Sequence, residues 1–202
     1  ARMPGGFLTN DLRKRTWAQS LAINKYKKVD FRSLSQKPPQ QLRVDIDRSF
    51  HNLEEHTRDW SEEKFAAKKV LRGDIMTAVL QRNPELHYYQ GFHSVCVTCI
   101  EVCEDDPTLA FMIVEYLAQH YFRDYLAEDF EVVTKFLPLV LEIIRKVDRK
   151  LFMFLSTANI EAFFATSWVI TWLSHDIKKV DTTARIYDGL ICSHPLFVMY
   201  MA

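Results

Sequence analysis

Two short groups of residues carry side chains suited to chemistry. The first is Leu42-x-x-Asp45-x-x-Arg48 and the second is Tyr88-x-Gln90-Gly91. On a helix, Asp45 and Arg48 lie three apart on one face. The carboxylate is then expected to brace the guanidinium with charge-assisted hydrogen bonds. Gln90 brings an amide, with two donors and one acceptor, that can hold a water in a fixed orientation. A braced Arg and an orienting amide together suit phosphoryl transfer to water. The Arg neutralises charge growing on the phosphoryl group, and the amide aligns the attacking water. Each group also has a plainer reading. Asp45 and Arg48 could be a surface ion pair worth about 0–1 kcal/mol. Gln90 could cap the next helix, with Gly91 relieving a tight turn.

The elements that must position these groups are helical. The 202 residues include 48% hydrophobic residues but only 5 Gly and 7 Pro. Turns are therefore few and elements long, which predicts an all-α chain forming one domain over residues 1–202. Residues 1–9 read as a flexible lead-in. Asn10 is placed as the N-cap of a helix carrying Leu12, Trp17, Leu21 and Ile23. The segment 24–37 is basic and irregular. Pro38-Pro39 opens a short helix to about Phe50, although the alternating Leu42, Val44 and Ile46 would also suit a strand. Residues 51–60 form a polar loop with two His.

Ser61 caps a long helix to about Arg82, with Phe65, Ala66, Val70, Ile75, Val79 and Leu80 facing inward. Gly73 inside it predicts close helix packing. Asn83-Pro84 closes it, because the residue before Pro is pushed out of the α region. Phe92 to Cys103 is Val- and Ile-rich enough for a buried strand, but no second strand is available to pair with it, which favours helix. Asp106-Pro107 starts a helix running to about Phe122. Beyond it come a short piece at 123–127, a long helix at 130–146 kinked at Pro138, and another at 149–155. Asn159 is placed as the cap of an all-apolar helix from Glu161 to Ser174, at the centre of a bundle. Helices near 181–192 and from Pro195 end the chain.

The formal net charge is zero, which argues against a general nucleic-acid binder. Charge is nonetheless uneven. Residues 1–37 hold nine Lys and Arg against Asp11 and Asp30, and residues 101–131 hold nine Asp and Glu against Arg123. That asymmetry fits either oriented docking to a charged partner or two solvated faces. The four Cys are read as reduced thiols in a cytosolic compartment. His93, Cys96, Cys99 and Cys103 share one helical face and cannot readily surround a tetrahedral ion, so no metal is assigned and the thiols are placed in the core. Trp168 and Trp172 are read as core stacking. His175 and His194 are assigned no role. No signal peptide is predicted. The longest apolar run, Ala162 to Leu173, falls short of the roughly 20 residues of a membrane span.

The two motifs, in this order, resemble the fingerprints of the TBC domain of Rab GTPase-activating proteins. Arg13-x-x-x-Trp17 resembles the family's opening helix. Trp168, Trp172 and Arg185-Ile186-Tyr187-Asp188 resemble its later core helices. The resemblance covers nearly the whole chain. It implies a multi-helix TBC-type domain that stimulates GTP hydrolysis by a Rab in its GTP-bound form. Arg48 is then the arginine finger and Gln90 the glutamine finger, both supplied in trans. Asp45, Tyr88 and Gly91 are then supporting residues. The protein would need no cofactor of its own, since GTP and Mg²⁺ come with the Rab. It would be an activator rather than an enzyme in its own right. The run Arg82 to Gly91 is most similar to a branch acting on Rabs of the early secretory pathway. That similarity implies an ER–Golgi Rab, vesicle trafficking, and a place on the cytoplasmic face of the endoplasmic reticulum through a segment not present here. Leu42, Ser49 and His51 stand where the family often has Ile, Thr and Pro. Family domains usually continue past the point matching Ala202, which implies truncation at the C-terminal end. The alternative is a helical module that binds a Rab without activating it.

Overall fold

A computed structural model describes residues 6–24, 26–34, 37–49 and 57–202. Most of the lead-in, and the polar loop as far as His56, including His51, lie outside the described residues. Among the described residues there are helices and turns and no strand. The helices are α1 (Asn10–Ser20), α2 (Gln40–Ser49), α3 (Glu62–Arg82), α4 (Phe92–Val102), α5 (Pro107–His120), α6 (Glu131–Phe136), α7 (Pro138–Val147), α8 (Arg149–Thr157), α9 (Thr166–Ile170), α10 (Val180–Ile191) and α11 (Phe197–Met201). Short 3₁₀ turns occupy Arg32–Leu34 and Ala162–Ala165.

The centre of the fold is α4, buried on all sides except at Ser94. It packs against α1, α2, α3, α5 and α10. A helix buried all round needs no polar face, and most of its side chains are apolar, with His93, Thr98 and Glu101 buried among them. Each fully buried aliphatic residue of this kind stabilises the fold by roughly 1.5–3 kcal/mol. Cys96, Cys99 and Cys103 lie in this core. Burial pushes the Cys96 thiol well up and the Cys103 thiol up to about 12, so neither is a reactive thiolate near neutral pH. Trp172 packs edge-on against Tyr121 and Tyr187 and tilted against Phe122, and not on Trp168, which meets Phe164.

Several helix ends follow from local sequence. The Ser61 hydroxyl accepts from the Lys64 N–H at 3.2 Å, and the Asp106 carboxylate from the Leu109 N–H at 2.9 Å. The first helix differs. Thr9, not Asn10, is its N-cap, and Asn10 instead accepts a bond from Arg13. Where a kinked helix is predicted over 130–146, α6 and α7 are separate. Leu137 lies between them and Pro138 opens the second, since Pro has no N–H to continue the ladder.

The predicted helix over 161–174 is broken into the Ala162–Ala165 turn, α9 and an irregular elbow. Phe163 is exposed rather than central. Side-chain bonds gather where α9 stops. The Tyr89 hydroxyl donates to the Ile170 carbonyl, the Thr171 hydroxyl donates to Ser167, and the His175 N–H donates to Thr171. Trp172 and Leu173 then turn left-handed, at φ 49° and 64°. Asn159 ends α8 in the left-handed region, at φ 51°, instead of capping the next helical segment. Asn tolerates that region better than most residues.

The inward face of α3 also departs from the periodicity. Val70 is 62% exposed and Ala66 is exposed, while Lys68 and Arg72 are buried. Glu101, sunk in α4, is the reason. It accepts from Lys68 Nζ and from Arg72 Nη2, each at 3.1 Å. A buried carboxylate requires such partners, and they set the rotation of the first half of α3. The basic and acidic segments also meet one another. Lys14 pairs with Asp105 at 2.7 Å. Hydrogen bonds to Asp105 and Asp11 push that ammonium up to about 12. Part of the charge asymmetry is thus cancelled within the fold.

Gly73 faces α2, where an added Cβ would meet Ile46 Cδ1 at 3.7 Å, an ordinary contact. The packing therefore does not require glycine there. Gly73→Ala is expected to stabilise the protein by about 0.5–1 kcal/mol, by removing glycine's helix penalty. A urea midpoint unchanged or lowered by the substitution would contradict that expectation.

Candidate functional site

Helix α2 turns Leu42, Asp45 and Ile46 inward and leaves Arg48 exposed in its last turn. A cation there complements the helix dipole. Asp45 is 1% exposed, and its carboxylate faces the core. It accepts from the Tyr88 hydroxyl at 2.7 Å and from Gln41 Nε2 at 3.1 Å. The expected brace between Asp45 and Arg48 is not formed, and among the described residues Arg48 has no ion pair. The carboxylate is taken by donors on the inner side of the helix, whereas Arg48 projects from the outer side.

The turn between α3 and α4 is held from three directions. The His87 N–H donates to the Leu126 carbonyl at 2.7 Å. Tyr88 and Tyr89 then diverge. Tyr88 points to α2. Tyr89 is buried, packs 5.9 Å from both Phe92 and Phe130, and donates to Ile170. Gly91 comes next, at φ 119°, a conformation that side chains rarely adopt. A Cβ there would also press within 3.0 Å of Thr171 Cγ2. Gly91 is the N-cap of α4, with no side-chain cap bond. Gln90 is therefore not spent on capping and stands exposed.

The Tyr88–Asp45 bond joins the two motifs. Arg48 lies three residues beyond one end of that bond, and Gln90 two residues beyond the other. Both are exposed, while the bond between Asp45 and Tyr88 is part-buried. Burial first, and the bond to Asp45 second, hold the Tyr88 hydroxyl far above its ordinary range, so it remains a donor.

Sequence reasoning missed His93, weighed there only as a metal ligand, and it missed Ser94, Gln41 and Thr171. His93 Nδ1 lies 3.1 Å from the Tyr88 oxygen, and Ser94 Oγ lies 3.3 Å from His93 Nε2. Its place two residues after Gly91, at the start of a mostly apolar helix, was the signal available. Burial pushes His93 down to about 4, with His175 and Arg72 adding and Asp45 opposing. The unfolded chain takes up this proton near pH 6.5, but the folded chain only near 4. Stability from this group is therefore complete above about pH 6.5 and declines as pH falls towards 4, by up to about 3 kcal/mol. The loss of urea midpoint between pH 7 and 4.5 is expected to be smaller in His93→Asn than in the parent. Equal losses would contradict it.

The chain matches the Rab-GTPase-TBC domain family over residues 10–202. It is 33% identical to TBC1 domain family member 20 of Mus musculus over 203 residues, covering 98% of this chain and 49% of that protein. To the Homo sapiens protein of the same name it is 32% identical over 202 residues, with the same coverage. To GTPase-activating protein gyp10 of Schizosaccharomyces pombe it is 30% identical over 200 residues, covering 96% of this chain and 52% of that protein. The chain thus spans about half the length of the curated relatives it matches. With one family matched from α1 to the last residue, on an all-helical fold, the chain belongs to the Rab-GTPase-TBC domain family.

Proposed function

We propose that this chain stimulates GTP hydrolysis by a Rab GTPase, with Arg48 as an arginine finger and Gln90 as a glutamine finger, both acting in trans. The observation that carries this reading is the Tyr88–Asp45 hydrogen bond, which ties together the supports of two exposed groups of the required chemistry. The Rab brings GTP and Mg²⁺, and this chain brings no cofactor. Water attacks the γ-phosphorus as the bond from phosphorus to the β–γ bridging oxygen breaks. The Arg48 guanidinium takes up negative charge developing on the leaving oxygen and the phosphoryl group. The Gln90 amide accepts from the water and donates to a phosphoryl oxygen, holding the attack in line. Asp45, Tyr88 and Gly91 hold the two groups in place and do not touch the nucleotide.

The name of the Schizosaccharomyces pombe relative, GTPase-activating protein gyp10, supports the same reading. So does the family's name, which points to a Rab as partner. The partner is the GTP-bound form, because only that form presents the bond to be broken. The likeness to TBC1 domain family member 20 favours an ER–Golgi Rab, a role in vesicle trafficking, and work at the cytoplasmic face of the endoplasmic reticulum, anchored by a segment outside this chain. Among the described residues no single helix is long and apolar enough to cross a membrane.

The test is single-turnover phosphate release from a panel of GTP-loaded Rabs that includes those of the ER and Golgi. Acceleration of at least one supports the reading. Binding without acceleration would replace it with a non-activating interaction module.

A further inference from the structure

The Asp45 carboxylate can only accept hydrogen bonds, and this one property sets the direction of a part-buried chain of donors. The Tyr88 hydroxyl has a single proton, and at 2.7 Å from Asp45 Oδ2 that proton is committed to the carboxylate. The Tyr88 oxygen is then an acceptor towards His93 Nδ1, 3.1 Å away, so His93 carries its proton on Nδ1. His93 Nε2 is left as an acceptor and takes the Ser94 hydroxyl proton at 3.3 Å. The donors thus run in one direction, from Ser94 through His93 and Tyr88 to Asp45. The opposite tautomer would place a bare Nδ1 lone pair beside the hydroxyl, competing with Asp45 for the Tyr88 proton.

We propose that His93 is a positioning residue: its Nδ1–H fixes the direction of the Tyr88 hydroxyl, and so holds the helix bearing Arg48 against the turn bearing Gln90. The inference rests on the Rab-activating reading above and deepens it. A tyrosine hydroxyl can point its proton to either side in the plane of its ring, so the clamp is only as directed as the group behind it. His93 is 4% exposed, and water is therefore a poor substitute as that group. A buried polar chain with every member satisfied is rigid, and one with a member removed is not. Small displacements of catalytic groups are costly, since about 1 Å can cost about a hundredfold in rate.

The experiment is single-turnover hydrolysis by a responsive Rab, measured against concentration of this protein, so that maximal rate and half-saturation separate. His93→Leu is expected to lower the maximal rate by about 10- to 100-fold, with half-saturation within about threefold of the parent. In His93→Asn the amide nitrogen takes the place of Nδ1, and the maximal rate should return to within about threefold of the parent. Tyr88→Phe should match His93→Leu, and the double variant should lose no more than either, because both act through one bond. In the free protein, amide exchange over residues 42–48 should be faster in His93→Leu than in His93→Asn, a comparison that needs no Rab. An undiminished maximal rate in His93→Leu, no rescue by Asn, or a loss confined to half-saturation would each overturn the proposal while the parent still activates. A parent that activates no Rab would overturn the functional reading itself, and the positioning role of His93 with it.

Discussion

Arg48→Ala is expected to leave the fold intact and to remove about 10³-fold or more of the acceleration of Rab GTP hydrolysis. Both parts of that expectation have a structural basis. Arg48 is exposed, in the last turn of α2, and has no ion pair among the described residues. Its loss therefore costs stability no more than a few tenths of a kcal/mol, as for most exposed positions. The support behind it, Asp45 bonded to Tyr88 and Gln41, stays in place. The variant lacks the planar, permanently charged group three residues beyond Asp45. Arg48→Lys should not restore the rate. A lysine ammonium is a point charge on a flexible stem, and it cannot present two parallel donors to the leaving and transferred oxygens. Gln90→Ala is expected to behave similarly, because the amide proposed to orient the water is lost while the Gly91 turn and the Tyr89 anchor remain. Thermal denaturation run alongside the kinetics separates chemistry from folding. If either variant still accelerates Rab GTP hydrolysis as the parent does, the proposed fingers are wrong.

The second large effect concerns the fold. Asp188 on α10 is fully buried and is the meeting point of the chain's two ends. It accepts from Arg13 Nε at 3.1 and 3.3 Å, from Trp17 Nε1 at 3.0 Å and from the Phe7 N–H at 3.0 Å. Asp188→Ala would leave the buried Arg13 guanidinium uncompensated and two further donors unsatisfied. Loss of one partner from a buried pair costs about 3–5 kcal/mol, a large fraction of the roughly 5–15 kcal/mol that holds a domain folded. The urea midpoint should fall accordingly. Replacing Arg13 with Met in the same chain should recover part of the loss, because much of it comes from the stranded cation. A double variant no more stable than Asp188→Ala would show that the damage lies in Trp17 and the Phe7 backbone instead.

The pair Arg13-x-x-x-Trp17 and Arg185-Ile186-Tyr187-Asp188 shows how the sequence could be read. Each was recognisable as a signature, but nothing in their separate spacing says that they share a carboxylate. Helix starts at Ser61 and Asp106 were legible because a cap acts over three residues. The helix break at Asn83-Pro84 was legible for the same local reason. The predicted helix over 161–174 stops early at Ile170, where Tyr89, far away in the chain, takes the Ile170 carbonyl. The phase of α3 failed because Glu101, on another helix, draws Lys68 and Arg72 inward. His93 was misjudged because its role depends on Tyr88 and Asp45 together.

By itself, the order of residues determined most of the helices, where most of them stop, and which side chains are candidates for the chemistry. Those properties come from forces acting within a turn or two of the chain. Tertiary structure alone decided what each buried polar group bonds to. It turned Asp45 towards Tyr88 instead of Arg48, and it freed Gln90 from capping by giving that place to Gly91. A carboxylate sealed from water takes whichever donors the packing brings within reach, and that choice is made only when distant helices meet.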